Sequence, residues 1–475
     1  MYKSIDLFAG CGGLTLGLHR AGFENLIGVE KSPMAAETYY HNFVKRLGEG
    51  EWVRFLAENQ TPATQAEHGV VVGELASVLE DKDLLARLSE QDVDLVAGGP
   101  PCQGFSLAGR RNPDDIRNQL PWEFLEFVEA VNPKAVIIEN VSGITQAFKK
   151  HGRPSPFMEL RDALTQTGGG YVVQAVHMNA KHFGAPQHRP RVMLIGIRAD
   201  MAEAARIVAH EHIWRSDYDH VPSVLFSKRP DLAPLATHFG DDILTVADAI
   251  SDLNDKGYRR LSNLPQYAED MRTETVPVET AAQTGLANHK LRKHAEHIET
   301  RFRLYQYFRD NGLTAKILGI PKDDKLTVEG QRTLIKEALV SAKFPARGGD
   351  KEILAKNLNA LVEVIMALGT KKHSQRSLSW TSPSPTIVSL PDDYVHPERP
   401  RTMTVREMAR FQSFPDSFEF RSKETTGSYR RRFEVPQYTQ VGNAVPPRLG
   451  RAVGEVVFDV LERAQMQSQT KAAGL

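Results

Sequence analysis

The first 200 residues alternate short apolar runs with longer amphipathic stretches, and this alternation restricts the possible folds more than any other feature of the chain. Runs such as VIIEN and VMLIGI are apolar at consecutive positions, which is typical of strands buried on both faces. The stretches between them place apolar residues at helical spacing. The pattern predicts an α/β fold with a doubly wound, mainly parallel sheet covered by helices on both faces.

The composition is that of a soluble globular chain. Its 475 residues, 41% hydrophobic and 25% charged, exclude collagen-like, disordered and coiled-coil classes. No apolar run approaches the roughly 20 residues that span a bilayer, and the N-terminus lacks a secretory signal pattern. Only two cysteines, Cys11 and Cys102, are present, which excludes a cysteine-based zinc module and suits a reducing cytoplasm. Lys+Arg and Asp+Glu are equal at 59 each, so a nucleic-acid binder would have to gather its basic residues locally.

The regular alternation stops near residue 200 and returns near residue 400. Between these points polar and charged segments dominate, with basic stretches at 288–303 and 371–376. The simplest organisation is a catalytic domain split in sequence into 1–200 and 396–475, with a smaller second domain inserted at 201–395.

A glycine-rich turn, DLFAGCGG, joins the first predicted strand to the first predicted helix. Glycines let a ligand approach the backbone closely, although a purely structural turn is the alternative. Glu30 ends the next strand, where a carboxylate can accept hydrogen bonds from ribose hydroxyls. The glycine spacing is wider than G-x-G-x-x-G, which argues against a dinucleotide and favours a phosphate-free cofactor such as S-adenosylmethionine. Cys11, within the turn, is interpreted as a packing residue.

Cys102 lies in the loop GGPPCQGFS, directly after the predicted strand VDLVA. Loops at the carboxyl ends of parallel strands line the ligand crevice. The two prolines hold the backbone extended and limit where the thiol can point. A lone cysteine is often a small buried apolar residue, but this setting makes Cys102 a candidate nucleophile.

GPPCQGFS and DLFAGCGG together resemble the C5-cytosine-specific DNA methyltransferases of bacterial restriction-modification systems. Further blocks resemble the family in the expected order: ENV at 139–141, QHRPR at 187–191, SLSWTSPSPTI at 377–387, TVREMARFQSFPDSF at 404–418 and QVGNAVPP at 440–447. The resemblance covers about 1–200 and 375–460. It implies a class I S-adenosylmethionine-dependent, Rossmann-like methyltransferase whose insert is a target-recognition domain.

The resemblance also implies a mechanism of DNA (cytosine-5-)-methylation. A cytosine is flipped from the duplex, Cys102 adds to C6, the methyl group passes to C5, and elimination follows. Glu139 places a proton at ring N3, while Arg189 and Arg191 hold the base and support the thiolate. A loop closes over the extruded nucleotide through the predicted DNA-binding residues Gln103, Ser106, Arg110, Arg111 and Arg117.

The cofactor would lie against the glycine-rich turn, with Glu30 at the ribose. Glu74 is assigned to the adenine amino group, where the family usually has an aspartate. The predicted cofactor-binding residues are Phe8, Ala9, Gly10, Gly12, Gly13, Leu14, Glu30, Lys31, Glu74, Pro100, Leu120, Asn443, Ala444 and Val445, and no metal is predicted.

Two other functions stay open at this point: methylation of transfer RNA or another RNA by the same chemistry, and a catalytically silent DNA-binding scaffold. The long insert and the GFS after Gln103 favour DNA, and retention of Cys102, Glu139 and Arg189 argues against a scaffold. The expected partners are double-stranded DNA and a cognate restriction endonuclease. The expected setting is a cytoplasmic monomer, encoded by a bacterium or a phage and without contact to a membrane.

Overall fold

A computed structural model describes residues 1–101, 119–146, 155–216, 229–279, 285–372, 374–427, 429–430 and 433–472. Within these ranges, eight strands form one sheet in the order β3-β2-β1-β4-β5-β7-β6-β8. The strands are β1 (Tyr2–Leu7), β2 (Phe23–Glu30), β3 (Val70–Val72), β4 (Leu95–Gly98), β5 (Ala135–Val141), β6 (Tyr171–Asn179), β7 (Pro190–Arg198) and β8 (Trp214–Arg215).

Strands β1 to β5 are parallel, whereas β7 runs antiparallel to both β5 and β6. This arrangement confirms the predicted doubly wound, mainly parallel sheet. The strand order reverses between β1 and β4, which is where open α/β sheets bind their ligands. Because β7 runs in the opposite direction, its first residues lie at the same edge as the ends of β4 and β5, and Arg191 pairs in register with Val141.

Helices cover both faces of the sheet and bury two apolar cores. The predicted helix ELASVLEDKDLLARLSE is wrong as a single element, because the chain breaks at Asp81. The Asp81 carboxylate accepts the N–H of Leu84 at 3.0 Å and so caps a second helix. In this part of the chain the helices are α1 (Gly13–Arg20), α2 (Pro33–Phe43), α3 (Glu51–Glu58), α4 (Pro62–Ala66), α5 (Leu75–Glu80), α6 (Lys82–Glu90), α7 (Leu120–Val131), α8 (Pro156–Gln166) and α9 (Ala199–Ala205).

The C-terminal helix returns to the N-terminal part of the fold. It packs on α1 so closely that a Cβ on Gly17 would lie 2.5 Å from the carbonyl oxygen of Pro447. Leu449, Val453 and Val457 enter the core that also contains Leu14. The remaining α-helices are α10 (Val246–Ile250), α11 (Gln266–Thr273), α12 (Glu296–Asp310), α13 (Val328–Ala338), α14 (Leu358–Leu368), α15 (Val405–Phe411), α16 (Gln437–Asn443) and α17 (Pro447–Ala472).

Residues of the predicted insert contribute to three different cores, since Ile207, Leu232 and Ala233 enter the core that contains Leu14 and α17. Helices α10 and α11 share a core with α15, α16 and Cys11, whereas α12, α13 and α14 form a separate core. The boundaries 201–395 stay a prediction. Short strand pairs accompany these helices: β9 (Leu253–Asn254) with β10 (Gly257–Tyr258), β11 (Ala346–Arg347) with β12 (Ile353–Ala355), and β13 (Arg376–Ser377) with β14 (Tyr394–Val395).

A buried ionic cluster joins α10–α11 to the segment around α15. Arg410 lies between Asp252 and Asp416, with N–O distances of 2.6 Å to each. Arg401 binds both carboxylate oxygens of Glu407, at 2.9 and 2.8 Å. Paired and hydrogen-bonded charges of this kind can be buried, whereas a single unpaired one is costly. Among the helices that the structure describes, none has the length and apolar character needed to cross a membrane.

Candidate active site

The predicted site residues converge on the carboxyl edge of the sheet. Across this edge, Glu74 follows β3, Glu30 ends β2 and the glycine-rich turn follows β1. Pro100 then follows β4, and Glu139 lies near the end of β5. The glycine-rich turn, Glu30 and Glu74 therefore lie on one side of the strand-order reversal, whereas Pro100 and Glu139 lie on the other.

Glu30 organises the glycine-rich turn through backbone hydrogen bonds. Gly10 donates its N–H to Oε2 of Glu30 at 2.9 Å, and Ser32 donates its N–H to Oε1 at 2.7 Å. Burial raises the pKa of Glu30, and these two bonds oppose the rise. A carboxylate has about four acceptor positions, so Glu30 retains capacity for ribose hydroxyls.

Gly10 is the place where a ligand can approach the turn. Its φ is +58°, and an added Cβ would have no atom within 4 Å. A Cβ on Gly12 would lie 2.2 Å from the ring of Phe43, and one on Gly13 would lie 2.3 Å from the carbonyl oxygen of Val445. Gly12 and Gly13 therefore allow close packing. Open space above a left-handed glycine, beside a buried carboxylate, suits a nucleoside-bearing cofactor.

The other predicted cofactor residues differ in what they offer. Lys31 and Glu74 form an exposed ion pair at the ends of β2 and β3. The side chain of Leu14 is buried in the core, so only its backbone is available to a ligand. Asn443 is exposed and Leu120, at the start of α7, is half-buried. Phe8 has a φ of +58°, which is a strained value for a non-glycine residue. Ala9 donates its N–H to the carbonyl oxygen of Val29 at 3.0 Å. Ala444 is buried.

The candidate nucleophile and the predicted DNA-binding loop lie outside the described residues. The loop base is described, and it is fixed to β5: Asn140 donates its side-chain N–H to the carbonyl oxygen of Pro100 at 3.1 Å. The residues outside the described ranges are Cys102, Gln103, Ser106, Arg110, Arg111 and Arg117.

Glu139 and Arg191 form a nearly buried ion pair. The Nε of Arg191 lies 2.6 Å from Oε1 of Glu139. The other carboxylate oxygen packs against Gly99, where a Cβ would approach it to 2.9 Å. Arg191 also donates from Nη1 to the carbonyl oxygen of Pro190 at 2.8 Å. A carboxyl group and a guanidinium thus lie together beside the base of the loop that leads to Cys102.

Arg189 binds partners that are different from those of Arg191. It is 2% exposed, and its Nη1 donates to the carbonyl oxygen of Ile387 at 3.1 Å. Its Nη2 donates to the carbonyl oxygens of Gly442 and Ala444, both at 2.9 Å. Burial, and after it the charge of Arg191, lower the pKa of Arg189. The two guanidiniums therefore have different protein partners, and the predicted role of both in holding the base stays a prediction.

The sequence interpretation assigned no role to two buried glutamines. Gln187 donates to Oε1 of Gln412 at 2.8 Å and accepts the N–H of Ile387 at 2.7 Å. Gln412 in turn donates to the carbonyl oxygen of Val441 at 2.6 Å. An amide inside an apolar run such as ARFQSF is a usable signal, since a buried amide must find hydrogen-bond partners.

Asp6 is a second feature that was not predicted. It is buried at the end of β1 and accepts a hydrogen bond from the hydroxyl of Thr15 at 2.5 Å. The cap position of α1 is Gly12, which has no side chain, so Asp6 supplies an acceptor in its place. Burial raises the pKa of Asp6 to about 7.

Cys11 lies where the sequence interpretation put it, in a packed environment. It is 2% exposed, its thiol approaches the carbonyl oxygen of Gln440 at 3.7 Å, and burial raises its pKa. In the described ranges, no three His, Cys, Asp or Glu side chains are grouped so that they could bind a metal ion.

Comparison with known proteins identifies the family. The model of the C-5 cytosine-specific DNA methylases matches residues 2–459. The chain belongs to this family. Type II methyltransferase M.AgeI of Thalassovita gelatinovora is 31% identical over 96% of this chain and 99% of its own. Type II methyltransferase M.DdeI of Desulfomicrobium norvegicum is 28% identical over 95% of this chain and 87% of its own.

A solved structure shares the fold. It is a protein encoded within an E. coli prophage and described as a DNA modification methyltransferase, with a TM-score of 0.57 and 20% identity over 97% of this chain and 100% of that one. Membership of the C-5 cytosine-specific family shows that this chain is a DNA (cytosine-5-)-methyltransferase, with S-adenosylmethionine as methyl donor and DNA as substrate. Family membership does not favour the RNA-methylating or silent-scaffold alternatives.

Proposed function

We propose that Glu139 and Arg191 bind the target cytosine and that Cys102 supplies the nucleophile. One observation carries this proposal: the ion pair of 2.6 Å between Glu139 and Arg191 lies against Gly99, at the base of the loop that leads to Cys102. A carboxyl group and a guanidinium at that position match the polar edge of a pyrimidine ring.

The chemistry requires each of these groups. Carbon 5 of cytosine is too weak a nucleophile to accept a methyl group directly. Addition of the Cys102 thiolate to C6 forms a carbon–sulfur bond and makes C5 an enamine carbon. When bound, S-adenosylmethionine would supply the methyl group from its sulfonium and leave as the neutral thioether. Loss of the C5 proton to a base and departure of the thiolate from C6 then restore the aromatic ring.

Glu139 and Arg191 have complementary roles toward the base. Glu139 takes up a proton from solvent when the base binds and delivers it to N3, which removes the negative charge that develops as the thiolate adds. Arg191 has five N–H donors in a planar fork, so it can bind the ring oxygen O2 while it keeps its contact with Glu139. Glu30 and the open face of Gly10 accept the ribose side of the cofactor.

A covalent trapping experiment tests the nucleophile. Duplex DNA with 5-fluorocytosine at the target should form a stable adduct with the wild-type enzyme and S-adenosylmethionine, because fluorine cannot leave as the proton does. Cys102→Ala should form no adduct. Cys11→Ala is the matched control and should form the adduct at the wild-type rate, since Cys11 is a packing residue. An adduct in Cys102→Ala would show that another residue is the nucleophile.

A second experiment tests the acid. Glu139→Gln should bind DNA normally but lose about 10²- to 10⁴-fold in single-turnover methyl transfer, the usual contribution of a general acid. Turnover at the wild-type rate would remove Glu139 from the mechanism.

We further propose that the core of α12, α13 and α14 belongs to the target-recognition domain. Its separation from the other cores and the basic stretch at 288–303 support this. The naming of the relatives as type II methyltransferases supports a bacterial cytoplasmic setting and a restriction endonuclease with the same target. Bisulfite sequencing of DNA from cells expressing the chain would give the target, and light scattering would test the monomer.

A further inference from the structure

We propose that Arg189 is a positioning residue for the cofactor pocket, which it shapes through the backbone of residues 442–445, and that it does not contact the cytosine. The proposal rests on the proposed cofactor site at Gly10, Glu30 and 443–445. It concerns how that site is closed.

The contacts of Arg189 show why it suits this role. Both terminal nitrogens bind carbonyl oxygens, one from Ile387 and two from Gly442 and Ala444. The last two carbonyls lie at the C-terminal end of α16, where no intrahelical N–H is available to them. A cation is favourable at this end of a helix dipole, and its charge strengthens each hydrogen bond. One buried guanidinium therefore fixes two segments that are distant in the sequence.

The backbone after α16 is in direct contact with the glycine-rich turn. The carbonyl oxygen of Val445 occupies the space that a Cβ on Gly13 would need, at 2.3 Å. At this point backbone meets backbone, with the ring of Phe414 and the Cβ of Ala444 packed beside it. A shift of residues 442–445 is therefore transmitted to the turn that Glu30 organises.

Arg189 also lies next to the cytosine side of the site. Its own N–H donates to Oδ1 of Asn179 at 2.9 Å, and Arg191, two residues later, pairs with Glu139. We therefore assign different roles to the two guanidiniums. Arg191 pairs with Glu139, the proposed general acid. Arg189 binds the backbone carbonyls of Gly442 and Ala444, beside the proposed cofactor pocket.

The test is a comparison of Arg189→Lys with Arg191→Lys. A lysine ammonium cannot reproduce the planar fork that joins Ile387 to the end of α16. Arg189→Lys should weaken S-adenosylmethionine binding at least tenfold in calorimetry without DNA, while kcat at saturating cofactor stays within fivefold of wild type. Arg191→Lys should keep the cofactor Kd within twofold and lose at least 100-fold in kcat.

An unchanged cofactor Kd in a folded Arg189→Lys protein, together with a large loss of kcat, would overturn the proposal. If thermal unfolding shows that Arg189→Lys does not fold, the cofactor Kd of Gln412→Met is the measurement that tests the positioning role. Gln412 is the neutral donor to the same backbone, at Val441, so its loss should raise the cofactor Kd severalfold. An unchanged Kd there also overturns the positioning role.

Glu30→Ala separates this proposal from the one it rests on. An unchanged cofactor Kd in Glu30→Ala would overturn the proposed pocket, and the positioning role with it. A weakened Kd in Glu30→Ala beside an unchanged Kd in Arg189→Lys would overturn the positioning role alone.

Discussion

Replacing Gly10 by alanine tests whether the cofactor lies against the backbone of the glycine-rich turn. Gly10 has a φ of +58°, and an added methyl group would project into space with no protein atom within 4 Å. Gly240 is a matched control from outside the predicted cofactor residues. It has a φ of +52° and likewise no atom within 4 Å of a built Cβ.

The two substitutions share one cost and differ in another. Alanine in the left-handed region costs roughly 1–2 kcal/mol, and this strain applies to both variants. Only Gly10→Ala adds a methyl group to space that the cofactor would need. Overpacking of that size typically costs about 1–3 kcal/mol. At about 1.4 kcal/mol per tenfold change, the cofactor Kd should rise about 5- to 150-fold.

Calorimetry with S-adenosylmethionine and thermal unfolding without it measure the two effects separately. Both variants should lose a few degrees of Tm at most. Only Gly10→Ala should lose affinity for the cofactor. Equal cofactor Kd values in Gly10→Ala and Gly240→Ala would refute the assignment of the cofactor to this turn.

Two further predictions concern stability. Burial raises the pKa of Asp6 to about 7 in the folded chain, above the value of about 3.9 in unfolded chains. The native state therefore keeps a proton that the unfolded state loses, and stability falls by at most about 1.4 kcal/mol per pH unit as the pH rises through this window. Asp6→Asn should remove the fall in urea unfolding between pH 5.5 and 7, and a variant with the wild-type slope would contradict the assignment. Arg410→Met removes the buried guanidinium that Asp252 and Asp416 share and should cost up to about 3–5 kcal/mol of unfolding free energy, the upper end being reduced because Arg272 and Tyr258 still contact these carboxylates. Arg451→Met, at an exposed pair, should cost about 0.5 kcal/mol or less, and equal losses would mean that burial of the Arg410 cluster is not decisive.

The buried strands were the most predictable part of the fold. The run YVVQAVHMN coincides with β6, because consecutive apolar residues have few alternatives to a strand covered on both faces. β3 is only three residues long, which is too short for a hydrophobic pattern to distinguish a strand from other structures. The reversed direction of β7 could not be predicted, since an apolar run carries no information about which neighbour it will pair with.

The candidate site likewise has a part that the sequence predicts and a part that it does not. The glycine-rich turn, Glu30 and Glu139 are local features whose chemistry can be interpreted from neighbouring residues. The partners of Arg189 are backbone carbonyls up to 255 positions away. Every residue has a backbone carbonyl, so the sequence gives no indication of which ones a buried arginine will bind. The division of residues 201–395 among three cores is equally a matter of packing over long separations.

The contact between Gly13 and Val445 has a consequence for biosynthesis. Gly13 is synthesised long before Val445, so the two sides of this contact are made at different times. We therefore expect a nascent or truncated polypeptide that stops before Val445 to lack this side of the proposed cofactor pocket and to bind S-adenosylmethionine weakly.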